Sequence, residues 1–144
     1  MPDLTVPLVL LGLVVLLLLG QWIVVRRAKS VRGQRVPESV ATACAEGDWH
    51  FEGARLLVFE SAQCVACRRM APAIRRLQAE YPGRICVLSV TTQRSIALSL
   101  RIMATPTVVL IDDEQVIDVF VGITPYEVLA QAVQRRVGEN ATIA

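Results

Sequence analysis

The sequence has few of the residues that mark a disordered or fibrous chain. Its 144 residues include only 7 prolines and 8 glycines, and 53% of them are hydrophobic. This composition excludes a disordered or collagen-like chain and leaves room for one domain. The net charge is only +2, from 15 basic and 13 acidic side chains. Because basic and acidic side chains are nearly balanced, the composition does not indicate a basic surface for nucleic acid, and we expect no nucleic-acid partner.

Cysteine and histidine are also scarce, which limits the disulfide and metal chemistry open to the chain. The four cysteines are too few and too unevenly spaced for a disulfide framework in a chain that can build its own core. They are Cys44, Cys64, Cys67 and Cys86. A zinc site on the close pair would need two further ligands from Cys44, Cys86 and His50, and no second paired motif exists. We expect no metal, predict that Cys86 is an inert core residue in a strand, and assign Cys44 no role.

Charged residues are absent from residues 4–25, although they are frequent in the rest of the chain. As a helix this segment would extend about 33 Å, against a hydrocarbon layer of about 30 Å. A cleaved signal peptide would have a positive N-terminal region, a shorter apolar stretch and a cleavage site of small residues, and the segment has none of them. The sequence therefore predicts one transmembrane helix, which contacts the lipid bilayer through residues 4–25.

The basic residues after this segment predict its orientation. Arg26, Arg27, Lys29, Arg32 and Arg35 follow the span, and no basic residue precedes it. The positive-inside rule then predicts a soluble domain on the cytoplasmic face, with the outer or periplasmic face as the alternative. We expect a membrane anchor (1–26), a basic juxtamembrane linker (27–36), a soluble domain (37–138) and a tail (139–144).

The soluble part alternates between short apolar runs and helical patterns, which is typical of an α/β domain. Strands are predicted at 55–59, 85–90, 107–111 and 116–121, and helices at 37–46, 65–80, 93–101 and from 125 onward. The first two strands flank a helix and should form a parallel crossover unit. The acidic turn at 112–114 is short enough to join the last two strands in a hairpin.

The last helix has clear start signals. Thr124 is a suitable N-cap, Pro125 suits the first helical position, and Glu127 completes a capping box. The apolar positions of this helix predict a buried stripe formed by Val128, Leu129, Ala132 and Val133.

Two cysteines stand three residues apart where the first predicted strand gives way to a helix. In a first helical turn, Cys64 and Cys67 would lie on one face, close enough to form a disulfide with little change in the backbone. The free amide protons and positive dipole end favour a thiolate there, most of all at Cys64. Spacing alone leaves three interpretations open, namely a redox-active pair, two ordinary buried cysteines, or half of a zinc site.

The residues around this pair resemble the thioredoxin family, and the resemblance extends over most of the soluble part. The string CVACRRMAPAI has Pro72 five residues beyond the second cysteine, and Met103–Thr107 resembles the family's cis-proline loop. Gly122 falls where thioredoxins carry a glycine before their last helix. The resemblance implies a thioredoxin-like α/β fold, in which helices flank a central mixed sheet, preceded here by one N-terminal transmembrane helix.

The same resemblance implies a function and a set of site residues. Cys64 would be the nucleophile and Cys67 the resolving thiol, while the dipeptide Val65–Ala66 and the loop Thr105–Pro106 would bind the substrate. The implied activity is thiol–disulfide exchange with protein disulfides or dithiols, without a metal or organic cofactor and with an unidentified redox partner. The alternative is a non-catalytic interaction or assembly subunit of a membrane complex.

Three departures from the family pattern bear on the mechanism. Gln63 replaces the usual tryptophan before the first cysteine, and Val65–Ala66 replaces the Gly-Pro of cytosolic thioredoxins, so the redox potential stays open. Val58 stands where thioredoxins have a buried aspartate that assists the resolving thiol. Strand alternation places Glu60 on the same side as Val58, and we hypothesise that Glu60 transfers protons for Cys67. The stretch before residue 55 is short, so the family's first strand is expected to be missing or rudimentary.

Overall fold

The computed structural model describes residues 5–44 and 53–143. Four β-strands and five α-helices alternate in these residues much as the sequence predicts. In chain order the elements are α1 (Thr5–Lys29), α2 (Ser39–Ala43), β1 (Arg55–Glu60), α3 (Val65–Glu80), β2 (Ile85–Ser89), α4 (Arg94–Ser99), β3 (Thr107–Asp112), β4 (Gln115–Val121) and α5 (Tyr126–Ile143).

The four strands form one mixed sheet in the order β2-β1-β3-β4. β1 and β2 are parallel, as a crossover through α3 requires, and β3 is antiparallel to both β1 and β4. The predicted α/β fold, crossover unit and hairpin are therefore confirmed. Within the described residues, the segment before α2 adds to this sheet an isolated bridge between Arg35 and Gln115.

The two faces of the sheet are covered by different helices. On β1, Leu57 and Phe59 point to the face covered by α2 and α4, whereas Leu56 and Val58 point to the face covered by α3 and α5. All four side chains are essentially buried, and burying each one stabilises the fold by about 1.5–3 kcal/mol. This alternation matters for the site, because it separates the surroundings of the two cysteine pairs.

The buried stripe of α5 differs from the prediction. Leu129 and Val133 are buried as expected, but the third buried residue is Ala130, while Val128 is 43% exposed. With Tyr126 packed against the same core, the stripe follows positions i, i+3, i+4 and i+7 of the helix, which is the spacing of one helical face. The prediction chose the neighbouring face because it assumed from residue type alone that the apolar Val128 is buried.

A disulfide joins Cys44, directly after α2, to Cys86 in β2, with a Cα–Cα distance of 5.9 Å. The expectation that Cys86 is an inert core residue was therefore wrong, and Cys44, to which the sequence assigned no role, is its partner. Sequence spacing could not show that α2 packs on the sheet face toward which Cys86 points. The helix predicted at 37–46 is shorter, Ser39–Ala43, and its expected stop at Gly47 lies outside the described residues.

The first helix is long and apolar enough to cross a bilayer. Its span Thr5–Ile23 has a mean hydropathy of 2.5, and none of it is buried against the domain. The segment predicted as a juxtamembrane linker is not a free linker, because Val31 and Val36 are buried in the core under α2 and α4. These two valines interrupt the basic run and give the segment the apolar contacts that hold it on the domain.

Candidate redox site

Cys64 is the N-cap of α3 and holds the helix start in place. Its backbone is extended, with φ −80° and ψ 107°, and its Sγ accepts a hydrogen bond from the Cys67 N–H at 3.1 Å. The two cysteines form a disulfide with a Cα–Cα distance of 5.2 Å. When the disulfide is open, the same amide and the helix dipole would stabilise a thiolate on Cys64.

The two sulfur-bearing residues differ in exposure. Cys67 is only 6% exposed, whereas Cys64 is half-buried at the surface of the site. Thiol–disulfide exchange needs access to the sulfur that is attacked or attacks. The arrangement therefore suits an outer nucleophile at Cys64 and a covered second thiol at Cys67.

The loop before β3 is fixed beside this helix start. Its Thr105–Pro106 peptide bond is cis, and the Thr107 hydroxyl donates to the Ala104 carbonyl at 2.7 Å. The Gly122 N–H donates to the Pro106 carbonyl at 2.8 Å, which joins the loop to the end of β4. Since these contacts leave the loop little freedom, it presents a fixed edge to a bound chain.

A second contact ties α3 to the segment that leads into α5. The Thr124 N–H donates to Met70 Sδ at 3.5 Å, in a buried position. The Thr124 hydroxyl donates to the Gly122 carbonyl at 3.3 Å instead of capping the helix, which begins at Tyr126. The residue predicted as an N-cap thus connects α3 with the end of β4.

A cavity of about 230 Å³ lies behind the disulfide. Cys67, Pro106, Glu60 and Val58 line it together, with further side chains from α3 and β2. Val58 is 2% exposed and has no proton to exchange. Glu60 is the one carboxylate among the residues that line this cavity with Cys67.

Of the predicted site residues, the structure brings Cys67, Glu60 and Pro106 to one cavity and puts Cys64 at its outer edge. The dipeptide Val65–Ala66 continues the same surface, with Val65 exposed. Sequence reasoning missed further α3 side chains in the cavity, among them Ala71, Arg75 and Gln78. They follow Cys67 by 4, 8 and 11 positions, so the helical period was a signal that could have found them.

The zinc interpretation does not fit this geometry. Cys44 and Cys86 pack with the core under α2 and α4, on the face of the sheet opposite to α3 and the Cys64–Cys67 pair. Four sulfurs split between two faces cannot form one tetrahedral site. His50, the remaining candidate ligand, lies outside the described residues.

Comparison with known proteins identifies the class. The family model for thioredoxin matches residues 50–135, more than half of the chain. A curated thioredoxin of Staphylococcus aureus is 33% identical over 85 residues, which cover 58% of this chain and 82% of the relative.

Two solved structures show the same fold. Mitochondrial thioredoxin 3 of Saccharomyces cerevisiae, in its oxidised form, superposes with a TM-score of 0.53 and 26% identity, over 58% of this chain and 79% of that one. Fasciola hepatica thioredoxin gives a TM-score of 0.56 at 24% identity, over 68% and 88%. Fold and relatives define a thiol–disulfide oxidoreductase. The chain belongs to the thioredoxin family.

Proposed function

We propose that this protein is a membrane-tethered thiol–disulfide oxidoreductase that exchanges disulfides with protein substrates through Cys64 and Cys67. The observation that carries the proposal is the N-cap of α3, where the Cys67 N–H donates to the Cys64 sulfur. This contact favours negative charge on the sulfur that a substrate can reach. Cys67, which is bonded to Cys64, lines one cavity with Pro106, and the loop at Pro106 would give the substrate chain an edge to lie against.

The proposed cycle transfers two electrons and needs no cofactor. The Cys64 thiolate attacks one sulfur of a substrate disulfide, forming a mixed disulfide and releasing the other substrate sulfur as a thiolate that takes up a proton. Cys67 loses its proton and attacks Cys64, which forms the Cys64–Cys67 disulfide and releases the second substrate thiolate. A redox partner then reduces the pair, and the reverse sequence oxidises a substrate dithiol.

Substrate binding is assigned to the surface around the disulfide. The backbone at Thr105, before the cis-proline, would pair with an extended substrate segment. The exposed Val65 and the neighbouring Ala66 would contact the substrate's apolar side chains. Such a site recognises the backbone and apolar character of a chain more than its sequence.

Glu60 is proposed to accept the proton of Cys67. It lines the same cavity as that thiol, while Val58 at the neighbouring inward position of β1 is apolar. A carboxylate within reach, directly or through one water, can remove the proton as Cys67 attacks. Glu60 thus takes over, two residues further along the strand, the task given in the family to a buried aspartate.

The experiment that tests the proposal uses the full chain in detergent and an insulin-reduction assay. Replacement of the nucleophile, Cys64→Ser, should abolish turnover. Replacement of the resolving thiol, Cys67→Ser, should trap a mixed disulfide that is visible on a non-reducing gel. Full activity in either folded variant would refute the assignment. It would leave the alternative, a thioredoxin-fold subunit that assembles a membrane complex without catalysis.

The anchor and its orientation are also proposals. Residues 1–26 would hold the protein in a cell membrane as a single-pass span, and the domain would then begin near residue 30, because Val31 is already part of the core. The basic flank favours the cytoplasm, but the Cys44–Cys86 disulfide is of a kind that persists in oxidising compartments. We give the disulfide more weight and propose the outer face.

A cysteine introduced at an exposed position decides between the two faces. In the Ala79→Cys variant the new thiol lies on the exposed surface of α3, 12 residues beyond Cys67. A membrane-impermeant maleimide should label it in intact cells as fully as in lysed cells. Labelling only after lysis would place the domain in the cytoplasm.

A further inference from the structure

The segment after the membrane helix runs antiparallel to β4. Gly33 donates its N–H to the Val116 carbonyl at 2.7 Å, and Val116 donates to the Gln34 carbonyl at 2.9 Å. Arg35 and Gln115 form an antiparallel bridge. Because the pairing is antiparallel, the residues of this segment that are closer to α1 lie beside residues closer to the C-terminal end of β4.

This direction leads to the redox site. Arg32 lies one step further along β4, where its Nε donates to Asp118 at 3.1 Å, and α1 itself, which ends at Lys29, contacts β4. The residue after β4 is Gly122, whose N–H is bound to the Pro106 carbonyl. The membrane helix thus joins the domain at the end of the sheet that carries the disulfide and the cis-proline loop.

A separate contact ties the helix end to that loop. Arg101 Nη1 donates to Ser30 Oγ at 3.1 Å, and Gln34 Nε2 donates to the Ser99 carbonyl at 3.2 Å. Arg101 directly precedes the stretch 102–106, which ends at the cis-proline. The anchor is therefore fixed on two sides of the site, at β4 and at the start of the loop.

The distance from the apolar span to the domain is short. The span ends at Ile23 and α1 ends at Lys29, which in a helix is a rise of about 9 Å. The headgroup layer on each side of a bilayer is about 5–8 Å thick. The Arg26 guanidinium lies 4.0 Å from the centre of the Trp22 ring, a pair suited to that layer. The end of the domain with the redox site therefore meets the membrane surface.

Apolar side chains are exposed at this same end. Met103, in the loop before the cis-proline, is 79% exposed, and three others are about half exposed: Val65, Val121 and Ile123. We call these four residues the apolar rim. Exposed apolar groups gathered around a site mark a surface that binds another molecule.

This inference rests on the proposed function: we propose that the redox site faces the bilayer and serves disulfides of membrane-embedded partner proteins close to the headgroups. Lipid can supply apolar contacts to the apolar rim, but it carries no disulfide for the redox site to exchange. A large soluble protein would have to enter the narrow space between rim and bilayer. The partner must carry a disulfide and must fit between the apolar rim and the bilayer. A cysteine pair on a short loop next to a partner's membrane span meets both requirements.

Fluorescence quenching tests the orientation. The oxidised full chain, with its four native cysteines in disulfides, is labelled at one introduced thiol and placed in phosphatidylcholine vesicles with nitroxide headgroups. A probe in Met103→Cys should be quenched at least twofold more than one in Ala79→Cys, near the other end of α3. A ten-residue Gly-Ser insert between Lys29 and Ser30 should remove the difference. Equal quenching, or stronger quenching at position 79, would overturn the proposal.

A substrate test separates this inference from the proposed function. The pre-reduced chain in vesicles is given one equivalent of a disulfide peptide linked to lipid headgroups by either a short spacer or a long polyethylene glycol spacer. A site that faces the bilayer should reduce the short-spacer peptide at least as fast as the long-spacer peptide. A severalfold preference for the long spacer would overturn the inference and leave the proposed function intact. Reduction of neither peptide would refute the proposed function and the substrate assignment with it.

Discussion

Removing the Cys44–Cys86 disulfide should cost this domain a large part of its stability. The perturbation is the double variant Cys44→Ala/Cys86→Ala, which deletes the bond and leaves the Cys64–Cys67 disulfide in place. The bond closes a loop with a sequence separation of 42. For that length, chain entropy predicts a loss of about 4 kcal/mol in the free energy of unfolding at 25 °C. Since small domains are stable by only about 5–15 kcal/mol, such a loss is readily measured.

The Cys64–Cys67 pair provides an internal control. Its sequence separation is 3, so the double variant Cys64→Ala/Cys67→Ala should lose about 2.3 kcal/mol less than the other, a difference that depends only on the ratio of loop lengths. Urea unfolding in detergent, followed by circular dichroism under non-reducing conditions, measures both. A loss below about 1 kcal/mol for the Cys44/Cys86 variant would refute the loop-entropy argument, as would equal losses for the two variants.

Three further predictions concern single side chains. Glu60→Gln should slow insulin reduction and flatten the pH profile of its rate. The matched change Glu38→Gln, at the exposed N-terminus of α2, should alter neither the rate nor the profile. An unchanged profile in Glu60→Gln would exclude the proton-transfer role. The pKa of Glu80 is lowered by the hydrogen bond from Tyr126 and by the Arg76 guanidinium. Its contribution to stability is therefore present above the ordinary pKa of 4.5 and lost as the pH falls below it. In acid unfolding, Glu80→Gln should remove this part of the pH dependence, and an unaltered acid transition would contradict it. Asp118→Asn should weaken the contact with Arg32 at a cost of only about 0.2–1 kcal/mol, because the pair is partly exposed; a larger loss in urea unfolding would show that the contact does more than hold the segment after α1.

Short-range patterns predicted much of the fold. The strand β1 and the helix α3 were placed within one residue of their observed bounds, because a compact apolar run and a turn or Pro-Gly signal fix such elements locally. The hairpin of β3 and β4 was equally local. Each of these features depends on residues that are close in the chain.

Features that depend on distant residues were missed. Cys44 and Cys86 meet because α2 packs over β2, and nothing in the neighbourhood of either cysteine indicates the other. The sequence predicted residues 27–36 only as a basic juxtamembrane linker, whereas Val31 and Val36 belong to the buried core. Spacing singled out Cys64 and Cys67, and the family resemblance gave them roles and added Pro106. Strand alternation placed Glu60 on the same side as Val58, but only the structure shows that Glu60 and Cys67 line one cavity.

The two disulfides should differ in how easily they open, because the fold stabilises the closed form of Cys44–Cys86 more than that of Cys64–Cys67. The Cys44–Cys86 bond stabilises the folded state by about 4 kcal/mol through loop entropy. By thermodynamic linkage, folding stabilises that bond against reduction by the same amount. The Cys67 amide at Cys64 instead stabilises the thiolate that appears when the other bond opens. Low concentrations of dithiothreitol should therefore expose two thiols, at Cys64 and Cys67, before all four. Alkylation followed by peptide mass analysis measures the order, and earlier labelling of Cys44 and Cys86 would show that the loop-closing bond, not the helix-start bond, is the exchangeable one.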